Sequence, residues 1–264
     1  MHSAALIRDH EVPVNVLVAG ATGGIGLALV AQLAASAQVA RLFALGRTAS
    51  SNAALAGLIA GSGGRIVAID CDIRDEAALA TMAKTIAGSV STLHLVINTA
   101  GMLHDHSSMP AVHPEKSLAQ VTAAGLQASF AINAFAPILL AKALLPLLRH
   151  DAPAVFASLS ARVGSIGDNR IGGWYSYRAA KAAQNQLLKT LAIELTRLNR
   201  RSIVLALHPG TTNTGLSKPF QANVTAEKLF TPDFAAASLL QVIASRLPAD
   251  SGRFFAWDGQ QIDW

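Results

Sequence analysis

Short apolar runs alternate with longer alanine- and leucine-rich segments along the whole chain. The apolar runs are typical of buried strands and lie at 14–20, 41–46, 65–70, 93–98, 154–159 and 202–208, with a weaker seventh at 253–257. Segments with helical periodicity lie between them, at 24–36, 75–88, 114–149, 175–199 and 232–247. Strands that alternate with helices are typical of a parallel sheet covered on both faces. The pattern predicts an α/β fold, a doubly wound parallel sheet of about seven strands, with ligands at the carboxyl ends of the strands.

Composition supports a single large core. Of the 264 residues, 52% are hydrophobic and only 14% are charged, which argues against disorder. No repeat, low-complexity segment or linker interrupts the alternation, so we expect one domain over 1–264. The only cysteine, Cys71, lies in the apolar run "RIVAIDCDI", where a buried structural thiol is the ordinary interpretation. A single cysteine forms no intrachain disulfide, and we expect a cytoplasmic protein.

The longest apolar segment, 130–149, contains Asn133, Lys142 and two prolines, which argues against a membrane span. We expect it to be buried against the core or a sister subunit, in a homodimer or homotetramer. The net charge of +5 suits a nucleic-acid partner, but the basic residues are scattered, with no run beyond Arg200-Arg201. We therefore expect a small-molecule ligand, and neither nucleic acid nor membrane as a partner.

A glycine-rich turn follows the first strand and opens the first helix. In "VAGATGGIGLAL" the glycines Gly20, Gly24 and Gly26 enclose Thr22, Gly23 and Ile25. Glycine there permits a tight turn and lets the backbone approach a pyrophosphate bound by the N–H groups of the helix. A mobile connecting loop is the alternative. The position after a strand favours a Rossmann-type dinucleotide site.

The end of the second strand bears on the choice of dinucleotide. A carboxylate there would bind the ribose 2′-hydroxyl of NAD, whereas "FALGRTAS" has Gly46 followed by Arg47. A guanidinium can pair with a 2′-phosphate, which favours NADP(H) over NAD. If Arg47 is only a solvated cation at the strand end, the preference stays open.

The stretch "YSYRAAK" pairs one tyrosine with a lysine. Helical side chains four positions apart share a face, so Tyr177 stands beside Lys181, while Tyr175 faces Ala179 and is expected to line a substrate wall. A phenol has a pKa near 10, and a neighbouring ammonium would lower it. Such a tyrosine could act as a general acid or base on a carbonyl or alcohol oxygen. By itself, the spacing also occurs in ordinary amphipathic helices.

Five motifs occur in order along the chain: "GATGGIG", "NTAG" (98–101), Asn133 in "INAFAP", "YSYRAAK" and "HPGTTNT" (208–214). In these the chain resembles the short-chain dehydrogenase/reductase family over essentially its whole length. The stretches "GSIGDNRIGGWYSYRAAKAA" and "GRFFAWDGQQIDW" resemble the C-factor-like or sniffer-like branch of carbonyl reductases. The resemblance implies an NADP(H)-dependent oxidoreductase that moves a hydride between nicotinamide and an aldehyde, ketone or secondary alcohol. A cofactor-binding signalling protein of C-factor type, with weak or no turnover, is the alternative.

The resemblance also implies roles for the matching residues. Tyr177 would be the catalytic acid/base, Lys181 would bind the nicotinamide ribose and lower the tyrosine pKa, and Asn133 would hold a relay water. The remaining cofactor contacts would be Gly20, Thr22, Gly23, Gly24, Ile25 and Gly26 at the pyrophosphate, Arg47 at the 2′-phosphate, Asp72 and Ile73 at the adenine, Asn98, Ala100 and Gly101 after the fourth strand, and Pro209, Gly210, Thr212 and Thr214 at the carboxamide.

One position departs from the family pattern. The family has a serine that binds the substrate oxygen after the fifth strand, and "SLSARVGSIG" places Ala161 there. Ser160 or Ser165 could replace it, or the enzyme could work without this donor; we favour Ser160 as the catalytic serine.

The expected substrate pocket uses Met102, Trp174 and Tyr175, with segment 215–226 as a lid. The histidines His104, His106 and His113 lie in a polar loop with no evident third ligand at useful spacing, so we expect no metal.

Overall fold

The computed structural model describes residues 5–10, 12–105 and 111–264, so His106 lies outside the described residues. In chain order the strands are β1 (Val14–Ala19), β2 (Val39–Gly46), β3 (Ile66–Asp70), β4 (Leu95–Asn98), β5 (Ala154–Leu159), β6 (Ser202–His208), β7 (Thr211–Thr212), β8 (Leu229–Phe230) and β9 (Arg253–Ala256). Seven of these strands form one parallel sheet in the order β3-β2-β1-β4-β5-β6-β9, and β7 pairs with β8 in a separate small ladder. This is the doubly wound sheet that the apolar pattern predicts.

Helices cover both faces of the sheet. They are α1 (Gly24–Ala35), α2 (Ala53–Ala60), α3 (Glu76–Ala87), α4 (Ala123–Phe130), α5 (Ala136–Leu148), α6 (Tyr175–Leu198) and α7 (Pro232–Ser245). Buried residues of α1, α2 and α7 join one core cluster, and those of α3, α5 and α6 join the other.

The strands are apolar at consecutive positions because both of their faces are buried. In β1, Val16 and Val18 belong to one core cluster, whereas Leu17 and Ala19 belong to the other. Alternating side chains of a strand point to opposite faces, so a sheet between two helical layers requires an unbroken apolar run.

The prediction of one continuous helical segment over 114–149 is wrong. Helix α4 begins only at Ala123, where the Thr122 hydroxyl accepts a hydrogen bond from the Gly125 N–H at 3.0 Å, and a 3₁₀ turn (Leu118–Gln120) precedes it. A π-helical turn (Ala131–Phe135) separates α4 from α5. The helical stretch Ala123–Leu148 is long and apolar enough to cross a membrane by length and composition, and half of its apolar window is buried inside the fold.

Helix α2 was not predicted from the sequence. It has eight residues, and only Leu55 is buried, so its apolar periodicity is weak. Its start is fixed by Asn52, whose side chain accepts a hydrogen bond from the Leu55 N–H at 3.0 Å.

Candidate active site

The carboxyl ends of the central strands open into one cleft of about 960 Å³. Its walls come from the glycine turn after β1, the ends of β2 and β3, the loop after β4, the start of α6 and the loop after β6. Six separate segments of the chain therefore contribute residues at one side of the sheet. The predicted residues that line the cleft are Gly20, Thr22, Gly23, Gly24, Ile25, Gly26, Arg47, Asp72, Ile73, Ala100, Gly101, Met102, Ser160, Trp174, Tyr177, Lys181, Pro209, Gly210, Thr212 and Thr214.

The glycine turn needs its glycines for close packing. Gly20 has a φ of +81°, and a Cβ on it would lie 2.9 Å from the Ala100 nitrogen. A Cβ on Gly26 would collide with the Gly20 carbonyl oxygen. At the helix start, Gly23 caps α1 without a side-chain hydrogen bond, and a Cβ there would meet nothing within 4 Å. The first residues of α1 line the cleft, and the first N–H groups of a helix have no partner within the helix, which fits a bound pyrophosphate.

The end of the cleft beside β2 and β3 carries two arginines. Arg47 lies directly after β2, and Arg74, which sequence reasoning missed, follows β3. Arg74 binds Asp72, with Nη2 2.6 Å from Oδ2. The Arg74 hydrogen bond is the main cause that holds the pKa of the Asp72 carboxyl below its usual range, and the charge of Arg47 adds to it. A Cβ on Gly46 would lie 2.6 Å from Thr22 Cγ2, so a larger side chain at this strand end would require the Thr22 side chain to move.

Tyr177 and Lys181 stand together in the cleft wall. Both are buried on α6, and the lysine Nζ lies 5.8 Å from the centre of the tyrosine ring. The Nζ donates to the Leu159 carbonyl oxygen at 2.8 Å and to Gln184 Oε1 at 2.9 Å. Trp174 packs edge-on against the Tyr177 ring with 6.2 Å between ring centres.

Burial determines the protonation of this pair. It raises the pKa of the Tyr177 phenol well above its ordinary value and lowers the pKa of Lys181 to about 7. Burial therefore opposes the effect that the ammonium is expected to have on the tyrosine pKa, because desolvation disfavours the charged form of each group. A tyrosine in this environment keeps its proton at neutral pH and can donate it.

Two asparagines lie behind the cleft wall and hold the loop after β4. Asn133, in the π-helical turn, accepts from the Met102 N–H at 3.0 Å and donates to the Met102 carbonyl at 2.7 Å. A Cβ on Gly101 would lie 3.1 Å from Asn133 Oδ1 and 3.7 Å from Lys181 Nζ, so Asn133 and Lys181 both border Gly101. Asn98 accepts from the Ala100 N–H at 3.2 Å and donates to Ser158 Oγ at 2.9 Å.

Of the two candidate serines, Ser160 lines the cleft and Ser165 does not. The Ser160 hydroxyl donates to Asn185 Oδ1 at 2.7 Å, which directs its proton away from the cleft. Asn185 Nδ2 and His208 Nδ1 are buried nearby on α6 and β6 without a hydrogen-bond partner among the described residues. The Ser160 hydroxyl would therefore have to rotate away from Asn185 before it could donate a hydrogen bond to a ligand in the cleft.

An aromatic ring from the predicted lid packs against other residues that line the cleft. Phe220, from the 3₁₀ turn Lys218–Asn223, packs against Trp174 with ring centres 5.2 Å apart and against His104 with ring centres 6.0 Å apart. These contacts join the predicted lid to the start of α6 and to the loop after β4. Tyr175, expected in the substrate wall, instead is 42% exposed and lines a separate groove beside Arg178. Among the described residues, no group of three or more histidine, cysteine or acidic side chains could hold a metal ion.

A buried glutamate that sequence reasoning missed holds the start of α6. Glu115 accepts from the Ser176 N–H at 3.1 Å and also from the Ser176 hydroxyl. Its main-chain carbonyl accepts from the Trp174 N–H at 2.5 Å. The only sequence signal for this role is an acidic residue inside the loop before α4, which also suits a solvated surface.

Comparisons with known proteins agree with this geometry. The sequence model of the family described as "short chain dehydrogenase" matches residues 14–225. The C-signal protein of Myxococcus xanthus is 34% identical over 148 residues, which cover 56% of this chain and 84% of that protein. The crystal structure of NADPH-bound carbonyl reductase from chicken fatty liver is 26% identical, with a TM-score of 0.83 over 96% of this chain and 100% of that one. Carbonyl reductase Sniffer of D. melanogaster is 25% identical, with a TM-score of 0.82 over the same shares, 96% and 100%. The chain belongs to the short-chain dehydrogenase family.

Proposed function

We propose that the protein is an NADP(H)-dependent carbonyl reductase that converts an aldehyde or ketone to an alcohol, and the reverse. The observation that carries the proposal is Tyr177, a buried and protonated phenol in the wall of a nucleotide-sized cleft, one helical turn from Lys181. This arrangement has a proton donor where a carbonyl oxygen can reach it, which is the requirement for general acid catalysis.

The chain's own residues would supply the proton and stabilise charge. The nicotinamide cofactor, when bound, supplies the hydride that adds to the carbonyl carbon. Tyr177 Oη gives its proton to the carbonyl oxygen as negative charge develops there. The Lys181 ammonium then favours the phenolate that is left, by its positive charge in a desolvated site. Asn133 holds Met102 through two hydrogen bonds and borders Gly101, which lies beside Lys181, and proton return to the phenolate would run along this side of the cleft.

The preference for NADP(H) rests on the end of β2. Arg47 is exposed in the cleft, and neither Gly46 nor Arg47 supplies the carboxylate that would bind a ribose 2′-hydroxyl. Relatives of solved structure point the same way, since the chicken carbonyl reductase binds NADPH. The partner is then a small carbonyl compound, and we propose a cytoplasmic homodimer or homotetramer. The exposed Phe135 and Ile193, at 50% and 52% exposure, supply apolar surface for such assembly.

Tyr177→Phe tests the reaction. The variant keeps the ring and its packing on Trp174 but lacks the proton, so turnover of aldehydes and ketones with NADPH should fall by about 10²- to 10⁴-fold. NADPH binding, measured by fluorescence titration, should be unchanged. Full turnover in this variant would remove Tyr177 from the mechanism.

A second candidate is a cofactor-binding signalling protein with weak turnover. The likeness to C-signal and the direction of the Ser160 proton toward Asn185 favour it. Loss of one oxyanion donor costs on the order of 10²- to 10³-fold in other enzymes. NADPH binding by the wild type without oxidation of NADPH by any carbonyl in a broad panel would select this candidate.

A further inference from the structure

Gln184 is a buried amide directly beneath the active-site lysine. It lies on α6, is 1% exposed, and is not among the residues that the sequence motifs mark. Its Oε1 accepts a hydrogen bond from Lys181 Nζ at 2.9 Å. Polar side chains are seldom buried this deeply without a defined task, because an amide removed from water must recover its hydrogen bonds inside the protein.

The orientation of the Gln184 amide is fixed by its other contacts. Nε2 donates to Ser158 Oγ at 2.7 Å and to the Leu159 carbonyl oxygen at 3.2 Å. A main-chain carbonyl only accepts, so the NH₂ group must face Leu159 and the carbonyl oxygen must face Lys181. Ser158 also accepts from Asn98 at 2.9 Å, which ties the amide to the ends of β4 and β5.

Lys181 has neutral oxygen atoms as its hydrogen-bond partners. Its Nζ donates to the Leu159 carbonyl and to Gln184, and it forms no ion pair with a carboxylate among the described residues. Burial lowers the pKa of this amine to about 7. Because no carboxylate lies nearby among the described residues, the protonated amine is favoured by two carbonyl dipoles. One is the main-chain carbonyl of Leu159, and the other is the side-chain carbonyl of Gln184.

From this geometry we infer that Gln184 is a positioning residue that holds the Lys181 side chain beside Tyr177 and favours the protonated form of its amine. The ammonium has three N–H groups, so two contacts below the cleft leave one directed at the site itself. The catalytic consequence rests on the proposed function, because only a proton-donating Tyr177 needs this ammonium.

Substitutions of opposite sign test the inference on the cofactor-free protein. Gln184→Met keeps the volume and removes the amide, so the Lys181 titration midpoint should fall by about one pH unit. Gln184→Glu supplies a carboxylate, so the midpoint should rise by at least about one unit. The readout is NMR titration of protein labelled with [¹⁵N,¹³C]lysine, with the Lys181 signal assigned through Lys181→Met. Gln186→Met, at an exposed glutamine on the same helix, is the matched control and should leave the midpoint unchanged.

Equal midpoints in wild type, Gln184→Met and Gln184→Glu would overturn the inference. If Gln184→Met fails to fold, Gln184→Asn withdraws the same amide from Nζ and is expected to lower the midpoint in the same way. In turnover assays, the alkaline limb of kcat against pH should move with the Lys181 midpoint, down in Gln184→Met and up in Gln184→Glu. A wild type without turnover would refute the proposed function, whereas the NMR titration decides on Gln184 in either case.

Discussion

At the scale of single residues, spacing could be predicted from the sequence but protonation could not. The four-residue interval from Tyr177 to Lys181 puts both side chains on one face of any helix, and the structure places them in one cleft. Burial raises the pKa of Tyr177 and lowers that of Lys181, and both the burial and the lysine's contacts with Leu159 and Gln184 exist only in the folded chain. Likewise, the sequence identifies Ser160 as a candidate, but its hydrogen bond to Asn185 on α6 depends on the tertiary fold.

Arg47 provides a test of cofactor choice. Arg47→Ala should weaken NADPH binding by about tenfold to a hundredfold, the typical effect of losing a hydrogen bond to a charged group. NADH, which lacks the 2′-phosphate, should bind as it does to the wild type. Titration with each nucleotide measures the ratio of the NADPH and NADH affinities. Arg200→Ala, at an exposed position at the other end of the sheet, is the control. An equal loss for NADH and NADPH would mean that Arg47 does not read the 2′-phosphate.

At the scale of elements, the start of α6 decides where Tyr177 stands. Gly172, Gly173 and Trp174 all have positive φ, and Trp174 supplies no side-chain cap to the helix. A non-glycine residue in this conformation costs about 1–2 kcal/mol, so other contacts must hold it. Glu115 provides them from a distant loop, through the N–H groups of Trp174 and Ser176.

Glu115→Ala should therefore destabilise the protein and impair catalysis together. Loss of the cap and of the Ser176 hydrogen bond should lower the free energy of unfolding by about 2 kcal/mol, measured by urea denaturation. Turnover should fall more than NADPH affinity, because Tyr177 lies in the first turn of α6 whereas the glycine turn lies elsewhere. Glu194→Ala, at an exposed position of the same helix, should change neither. Unchanged stability in Glu115→Ala would show that α6 starts correctly without this carboxylate.

At the scale of the whole molecule, the sheet could be predicted because burial on both faces leaves a plain apolar signature. All seven predicted strands are present, and the weak seventh run forms the edge strand β9 against β6. The break within 114–149 could not be predicted, because Thr122 and the π-helical turn act through local backbone bonds that leave the apolar composition unchanged. The cap by Glu115 was equally hidden, since its partners come from a remote part of the chain.

A cluster of three histidines links the stability of the fold to pH. His94 lies between His10 and His150, with ring centres 4.7 and 5.4 Å apart, and its Nδ1 accepts from the Asn15 N–H at 3.1 Å. Burial, and then the charges of His10 and His150, lower the pKa of His94 from 6.5 to about 4. Burial and the neighbouring Arg201 also lower the pKa of His10.

Stability should therefore fall as the pH drops from 6.5 toward 4. In that window the unfolded chain binds a proton at His94 that the folded chain does not, so the free energy of unfolding rises with pH by up to about 1.4 kcal/mol per unit for this group. Urea denaturation at several pH values measures the slope. His94→Gln, which can still accept a hydrogen bond from Asn15, should reduce the slope of the free energy of unfolding against pH. Part of the slope should remain, because the pKa of His208 is also about 4. The same slope in His94→Gln would exclude the cluster as its source.

The one thiol of the protein has a consequence for its tolerance of oxidants. Cys71 lies in the cleft wall at the end of β3, and burial together with Asp72 and Asp75 raises its pKa to about 11. Peroxides and alkylating agents attack the thiolate, which is scarce at neutral pH in such a group. We therefore expect the Cys71 sulfur to react slowly with oxidants and electrophiles that enter the cleft, because its nucleophilic form is scarce.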